Sequence, residues 1–525
     1  MSLTHSPVTG PPLPGARKFH LPLALGIRRI LSKAFSFPVM LVAWIVLVVV
    51  HLAERNLPDP DIWWHLRNAQ YLFTNHHLPN VEAYSFTVAG QPWMNPEWVA
   101  EIPYYLAWRA LGLEGIEVVM LLALEAIFIL LVFLSYERSH RIKAAILACW
   151  FAIALGTINF GPRTILFGYL YLVVLLIILE RFRSRGHAPL WLLPALFCLW
   201  INTHGSWAIG IIVFGIYIAS GFFEGEWGRI KATRWSLRQQ RQLIFVFALS
   251  CAALLANPYG YHLLLYPANL AFRQRLNIAS IQEWVSVDFH GPQGKVALVL
   301  LAVLFCSALA SRYQWKLSDL LLTLFGFYCG LTYERFLFLA GIIVAPTLAE
   351  MLHFVPPYRP EIDKPWLNAA IIAGVSALVV YRFPAPPRLK REIARQYPAG
   401  AVRYLKRHDL PGRALNFYNW GGYLGWKDPK FKVFVDSRVD VFERAGVFSD
   451  YLKVQTMQDP ERILDKYRIR YVLFPSSQPL IYLLKISRGW KVLYSGKIST
   501  LLERATAMPL GLVKRTTIGR NPRPQ

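Results

Sequence analysis

Pro58 to Glu101 reads P-D-P-D-I-W-W-H-L-R-N-A-Q-Y-L-F-T-N-H-H-L-P-N-V-E-A-Y-S-F-T-V-A-G-Q-P-W-M-N-P-E-W-V-A-E. It lies between two apolar segments and holds Asp59, Asp61, Glu82, Glu97 and Glu101, together with His65, His76, His77 and four tryptophans. Two carboxylates one residue apart, directly after a run long enough to cross a bilayer, mark the place to look for chemistry. The rest of the chain reads as what holds this stretch in place.

The apolar runs decide the fold. The first spans roughly Phe37 to Ala53, and no small-residue cleavage site follows it, so it reads as an uncleaved anchor. Further runs follow at about 116–134, 144–160, 165–180, 189–201, 206–223, 243–257, 294–311, 317–333, 336–352 and 366–382, which makes eleven candidate spans. A chain of 525 residues, 55% hydrophobic with mean hydropathy +0.35, is too apolar for a soluble protein and too charged for a pure bundle. The expected fold class is an α-helical multi-span membrane bundle with a C-terminal α/β soluble domain. The parts are a basic leader (1–37), a transmembrane domain (38–382) with an outer loop (55–115), an extracytoplasmic α/β domain (383–507) and a disordered tail (508–525).

Charge orients the bundle. With a cytoplasmic N-terminus and alternating spans, twenty of the twenty-nine Lys and Arg before residue 383 fall on inner segments. The positive-inside rule then places the acidic loop and the C-terminal domain outside. The net charge is +25, and residues 383–525 carry 27 basic and 11 acidic side chains. A basic domain tethered to a membrane faces anionic head groups or phosphates more naturally than nucleic acid. The five cysteines all lie in apolar runs, and there is no Walker loop, paired-cysteine site or Gly-x-Ser-x-Gly elbow. An ATP-driven pump is therefore not expected.

In the first outer loop, Ile62 to Phe73 has helical periodicity with Asp61 at its start, so Asp61, His65 and Asn68 share a face. Trp98 to Leu111 reads as an apolar interfacial helix. In the tail, Ala399–Arg407, Phe442–Val454, Pro460–Tyr467 and Pro479–Ile486 read as helices. Arg413–Tyr418, Lys432–Asp436, Arg470–Pro475, Val492–Ser495 and Thr500–Glu503 read as strands of a mostly parallel sheet.

Asp59 and Asp61, stiffened by Pro58 and Pro60, could share a hard cation such as Mg2+ or Mn2+, or one could act as a base while the other orients a hydroxyl. The competing account makes Asp61 a helix cap and Asp59 a solvated turn residue. Arg163 and Arg335 sit at outer helix starts, where an ionised group usually has a partner: a phosphate, or a carboxylate such as Glu334 or one from the loop. His204, in N-T-H-G, would bond a substrate, an acidic loop residue or backbone. Glu97 and Glu101 would face Asp61 or water. Gly421-Gly422 suggests a phosphate-cradling turn without the full glycine spacing. Asp436, Arg438 and Asp440 follow a strand end and could equally form a salt bridge.

D-P-D-I-W-W-H-L-R-N-A-Q-Y-L in the first outer loop resembles the acidic first-loop motif of GT-C membrane glycosyltransferases, such as the oligosaccharyltransferase catalytic subunit and the protein mannosyltransferases. P-W-M-N-P-E-W-V-A-E and N-W-G-G-Y-L…V-F-V-D-S-R-V-D are similar to segments of a broad set of bacterial proteins of this plan. The W-W-D-type acceptor motif of the oligosaccharyltransferase subunit is absent from the tail. The resemblance implies a catalytic or metal-linked role for Asp59 and Asp61 and phosphate contact for Arg163 or Arg335; beside it, His65, Glu97 and His204 are read from the loop and turn as substrate-binding candidates. It implies a multi-pass protein of a bacterial inner membrane that uses a polyprenyl-phosphate sugar, with a glycan, lipid or protein acceptor and no nucleic acid. The rival readings are a transporter or lipid flippase, and a non-catalytic scaffold of envelope assembly whose outer charges do not converge.

Overall fold

The computed structural model describes residues 21–53, 59–410 and 413–505. The first twenty residues of the leader, Arg55, Pro58 and the expected tail 508–525 lie outside the described residues. Each of the eleven apolar runs coincides with a helix: Phe37–Ala53, Leu113–Ser139, Ile142–Gly156, Ile165–Arg185, Leu192–Ile201, Trp207–Ser220, Leu237–Ala253, Pro292–Ala310, Leu317–Thr332, Leu337–Met351 and Pro365–Arg382. Five helices are both long and apolar enough to cross a membrane alone: 113–139, 142–159, 165–185, 292–310 and 365–382. The others are shorter.

Burial explains the shortness of one of them. Leu337–Met351 has 15 residues, and all but Glu350 are buried. It is the central post of the bundle. Small residues let its neighbour approach: a Cβ on Gly341 would lie 2.8 Å from Ala152 Cα, and one on Gly156 would lie 2.8 Å from the Phe338 ring.

An ion network ties one end of the helices together. Arg138 pairs with Asp319 (2.5 Å) and Glu350, Arg183 with Asp319 (2.8 Å) and Glu180 (2.5 Å), and Lys316 with Glu350 (3.0 Å). Asp319 and Glu180 are buried, so each charge needs these partners. These residues sit at the opposite ends of the 165–185 and 337–351 helices from Arg163 and Arg335, so the two sets of charges occupy opposite faces of the bundle. That segregation agrees with the alternating arrangement of basic residues in the sequence.

The C-terminal domain carries a four-stranded sheet in the order Arg413–Asn416, Ile469–Pro475, Ser499–Arg504, Trp490–Ser495. Only the first pairing is parallel; the other two are antiparallel. This corrects the expected parallel sheet. The final strands follow each other across a short turn, Gly496–Ile498, and form a hairpin, for which antiparallel pairing is the natural outcome. The segment 432–436 is not a strand of this sheet either. Val433 makes one bridge to Ser85 of the first loop, and Phe434 N–H donates to Asn416 Oδ1 (2.7 Å).

The first loop and the C-terminal domain are thereby joined. Arg438 is buried, pairs with Asp436 (2.6 Å) and Glu82 (2.9 Å), and lies between the Tyr84 and Trp93 rings at 4.9 and 4.8 Å. Glu82 also accepts from the Tyr84 and Ser85 N–H groups. The salt-bridge reading of Asp436 and Arg438 is the correct one. The Gly421–Lys427 helix closes the contact. A Cβ on Gly421 would meet Val435 O at 2.2 Å, one on Gly422 Pro60 O at 2.9 Å, and one on Gly425 Arg67 Nη1 at 2.6 Å. Gly421 serves close packing inside the domain, and Gly422 and Gly425 serve its packing on the loop, which corrects the expected phosphate cradle at Gly421-Gly422.

Candidate functional site

Asp59-Pro60-Asp61 enters the Ile62–Asn75 helix. The expected cap does not form. Asp61 makes no side-chain capping bond; instead its own N–H donates to Asp59 Oδ1 (2.9 Å). The Asp61 carboxylate turns aside, accepts from Trp64 Nε1 (3.2 Å), and faces a cavity of about 840 Å³. Trp64 Nε1 also reaches Ser437 Oγ (3.1 Å) in the C-terminal domain. Burial first, and the neighbouring Asp59 charge second, hold the Asp61 pKa above the ordinary carboxylate value.

Asp59 has a different place. It is buried, its second oxygen accepts from Arg163 Nε (2.7 Å), and it is not among the residues lining the cavity. Both of its oxygens are engaged, so its geometry is that of a positioning group. Arg163 lines the cavity and spans Asp59 and Glu283, the latter at 2.5 Å. Internal pairing with a loop carboxylate is thus the arrangement found for Arg163. The two carboxylates outweigh burial and raise the Arg163 pKa further, so it stays charged.

One turn along the helix, His65 is buried between two glutamates. Its Nδ1 meets Glu101 Oε1 (3.0 Å) and its Nε2 lies 3.4 Å from Glu97 Oε2. Glu101 is a satisfied buried carboxylate that also accepts from Asn68 (3.0 Å) and Asn95 (2.8 Å). Burial opposes protonation of His65, but the Glu101 hydrogen bond and the Glu97, Glu101 and Asp61 charges together raise its pKa. Glu97 begins the Trp98–Leu111 helix. Burial pushes its pKa up to about 7, with the nearby Asp61 and Glu101 charges acting the same way against the pull of His65.

His204 reaches Glu97 from the other side, Nε2 to Oε1 at 3.5 Å. Its Nδ1 accepts from the Ser206 N–H (3.0 Å), which leaves the proton on Nε2, toward Glu97. Burial, then the Arg335 and His65 charges, lower its pKa to about 3, so it stays neutral. Asn202, next to it, accepts from Trp98 Nε1 (3.0 Å) and donates to Ala256 O (2.9 Å), which locks the N-T-H-G turn onto the first loop.

Arg335 lies on the cavity wall without a carboxylate. No ion pair with Glu334 or any other acid occurs among the described residues, and its Nε is buried with no hydrogen-bond partner. Its guanidinium lies over the Trp284 ring at 4.3 Å. A cation held by aromatic stacking, with Glu283 near enough to feel its charge but no carboxylate within ion-pair distance, suits an anionic group entering the cavity.

Six of the seven residues named from the sequence therefore line one cavity: Asp61, His65, Glu97, Arg163, His204 and Arg335. Asp440 joins them from the C-terminal domain, its pKa pushed up to about 6 by burial. Sequence reasoning missed Glu283, Trp284 and Tyr266. All three belong to the long segment between the Leu237–Ala253 and Pro292–Ala310 helices, and its length was the available signal. A divalent cation does not fit the donor set. Asp59 is spoken for by Arg163 and the Asp61 N–H, and no group of three or more His, Cys, Asp or Glu that could hold a metal occurs among the described residues.

No protein-family model matches the sequence, and no curated protein matches it. Solved structures do match. An oligosaccharyltransferase of Archaeoglobus fulgidus, tethered to an acceptor peptide, superposes with TM-score 0.50 at 12% identity over 88% of this chain and 74% of its own. ArnT of Cupriavidus metallidurans aligns over 91% of this chain and 98% of its own, at 12% identity and TM-score 0.42. At such identity the likeness is one of architecture: the chain has a GT-C-like fold, a multi-span helical bundle carrying a C-terminal soluble domain.

Proposed function

We propose that the protein is an integral membrane glycosyltransferase that moves a sugar from a polyprenyl-phosphate donor to a hydroxyl of an extracytoplasmic acceptor, in a bacterial inner membrane. The observation that carries this reading is the meeting of Asp61 and the unpaired Arg335 in one cavity. Its volume, about 840 Å³, lies in the range of about 300–1,000 Å³ usual for small-molecule sites. Outside the membrane there is no nucleotide-sugar supply, so a donor must arrive in the lipid.

The acceptor oxygen attacks the anomeric carbon while the bond from that carbon to the phosphate oxygen breaks. The lipid phosphate departs with the bonding pair, and the anomeric centre inverts. Asp61 takes the acceptor proton; its raised pKa makes it a stronger base than a solvated aspartate. Arg335 meets the charge that grows on the departing phosphate. Arg163 holds Asp59, and through it the start of the Asp61 helix, in place. The alternative scaffold reading expects scattered outer charges, whereas these groups converge.

The test is incubation of purified protein with a panel of polyprenyl-phosphate sugars, following release of lipid phosphate. Asp61→Asn should abolish release while the protein stays folded. Full activity in that variant would refute the assignment of Asp61 as the base, and lipid movement across vesicles with no sugar transferred would point to the flippase class instead.

A further inference from the structure

The cavity uses little of the positive charge in the C-terminal domain. Residues 386–410 carry seven Lys and Arg against two acids, and one of the acids, Glu392, is taken by Arg395 (2.8 Å). They form two amphipathic helices, Pro386–Gln396 and Ala399–His408. Leu389 and Ile393 are buried, the first helix packs on the Leu113–Ser139 helix, and Ala401, Val402 and Leu405 anchor the second. The basic side chains Lys390, Arg391, Arg395, Arg403, Lys406 and Arg407 are left exposed.

Position says what this face meets. The first helix begins three residues after Pro365–Arg382 ends. That last membrane helix is peripheral: Val380 and Tyr381 are 75% and 82% exposed at its outer end, where an aromatic sits at head-group depth. The tether is too short to carry Pro386 more than about 13 Å from the helix end. Arg403 and Lys406 are near enough to act electrostatically on Tyr423 and Lys427, so the second helix adds to one positive region.

We infer that the exposed basic face of residues 386–408 seats on an anionic bilayer surface beside the last membrane helix, binding lipid phosphates outside the transfer cavity. Cations near a charged membrane surface each add to binding and act within a Debye length, so the contact is sensitive to salt and to lipid composition. The inference does not depend on the chemistry proposed for the cavity.

The full chain is reconstituted in vesicles of phosphatidylcholine alone or mixed with phosphatidylglycerol, and amide hydrogen exchange is followed. Residues 386–408 should exchange about tenfold more slowly in the anionic vesicles, and the difference should vanish near 0.5 M salt. The variant Lys390→Ser/Arg391→Ser/Lys406→Ser/Arg407→Ser should lose the protection while cavity segments exchange as before. Equal exchange in both vesicles overturns the inference. So does protection in detergent by inorganic phosphate or by a soluble polyanion, which would make the face a site for those ligands.

Discussion

Arg335 and Arg163 lie on the same cavity wall yet should fail in opposite ways when replaced by methionine. Arg335 has no carboxylate partner, and its main contact is stacking on Trp284 at 4.3 Å. Such a contact is worth about 0.5–1 kcal/mol, so Arg335→Met should barely move the melting temperature. If its guanidinium stabilises the departing phosphate, its loss removes about 2.7–4 kcal/mol from the transition state, a fall of about 10²–10³ in turnover. Arg163 instead neutralises Asp59, 4% exposed, and Glu283. Arg163→Met leaves both without their cation and should cost about 3 kcal/mol of stability before any chemistry is considered. Lipid-phosphate release gives the first quantity and thermal unfolding in detergent the second. Arg335→Met with turnover within about threefold of the parent would refute the phosphate assignment. Arg163→Met melting like the parent would refute the pairing.

Other outcomes follow from the same geometry. Glu97 has a folded pKa of about 7 against an ordinary 4.5, so the native state holds its proton more tightly than the unfolded state. Its contribution to stability is therefore largest at low pH and declines as pH rises from 4.5 through about 7. Melting temperatures across that window should fall in the parent and fall less steeply in Glu97→Gln, where Asp440 still titrates, whereas equal slopes would remove Glu97 as a titrating group. Arg438→Met strands the buried Glu82 and Asp436 and should cost about 3–5 kcal/mol, read by chemical denaturation; a change below about 1 kcal/mol would contradict the buried clamp. Gly421→Ala drives a methyl into Val435 O and should destabilise by about 1–3 kcal/mol, with faster proteolysis within the C-terminal domain.

The bundle was legible because burial in lipid leaves a simple mark: apolar runs separated by charged breaks, with arginines and lysines on alternate sides. The cavity residues were legible for a related reason. Asp61, Arg163, His204 and Arg335 are charged or titratable groups at helix starts, where few other polar side chains compete for attention. Less visible was the division of labour between Asp59 and Asp61. It depends on Asp59 accepting the Asp61 N–H and the Arg163 guanidinium, a contact across 104 residues that no local pattern encodes. The sheet was misjudged because alternating helices and strands suggest parallel pairing until a hairpin intervenes. Gly421-Gly422 reads as a ligand turn from sequence because only the facing backbone, Val435 for Gly421 and Pro60 for Gly422, reveals why a side chain is excluded.

The Glu82–Arg438 pair joins residues 356 positions apart. At ribosomal speeds of about 5–20 residues per second, the loop that carries Asp61 waits roughly 20–70 s in the nascent chain before its arginine is made. Until then the Glu82 carboxylate has only local donors, among them the Tyr84 and Ser85 N–H groups, and water, with no cation to neutralise it. The end of the protein that holds the cavity is thus assembled last, after all eleven apolar helices have been translated. A polypeptide cut short after the last of them would carry the whole helical bundle yet lack the cavity wall that Ser437, Arg438 and Asp440 supply.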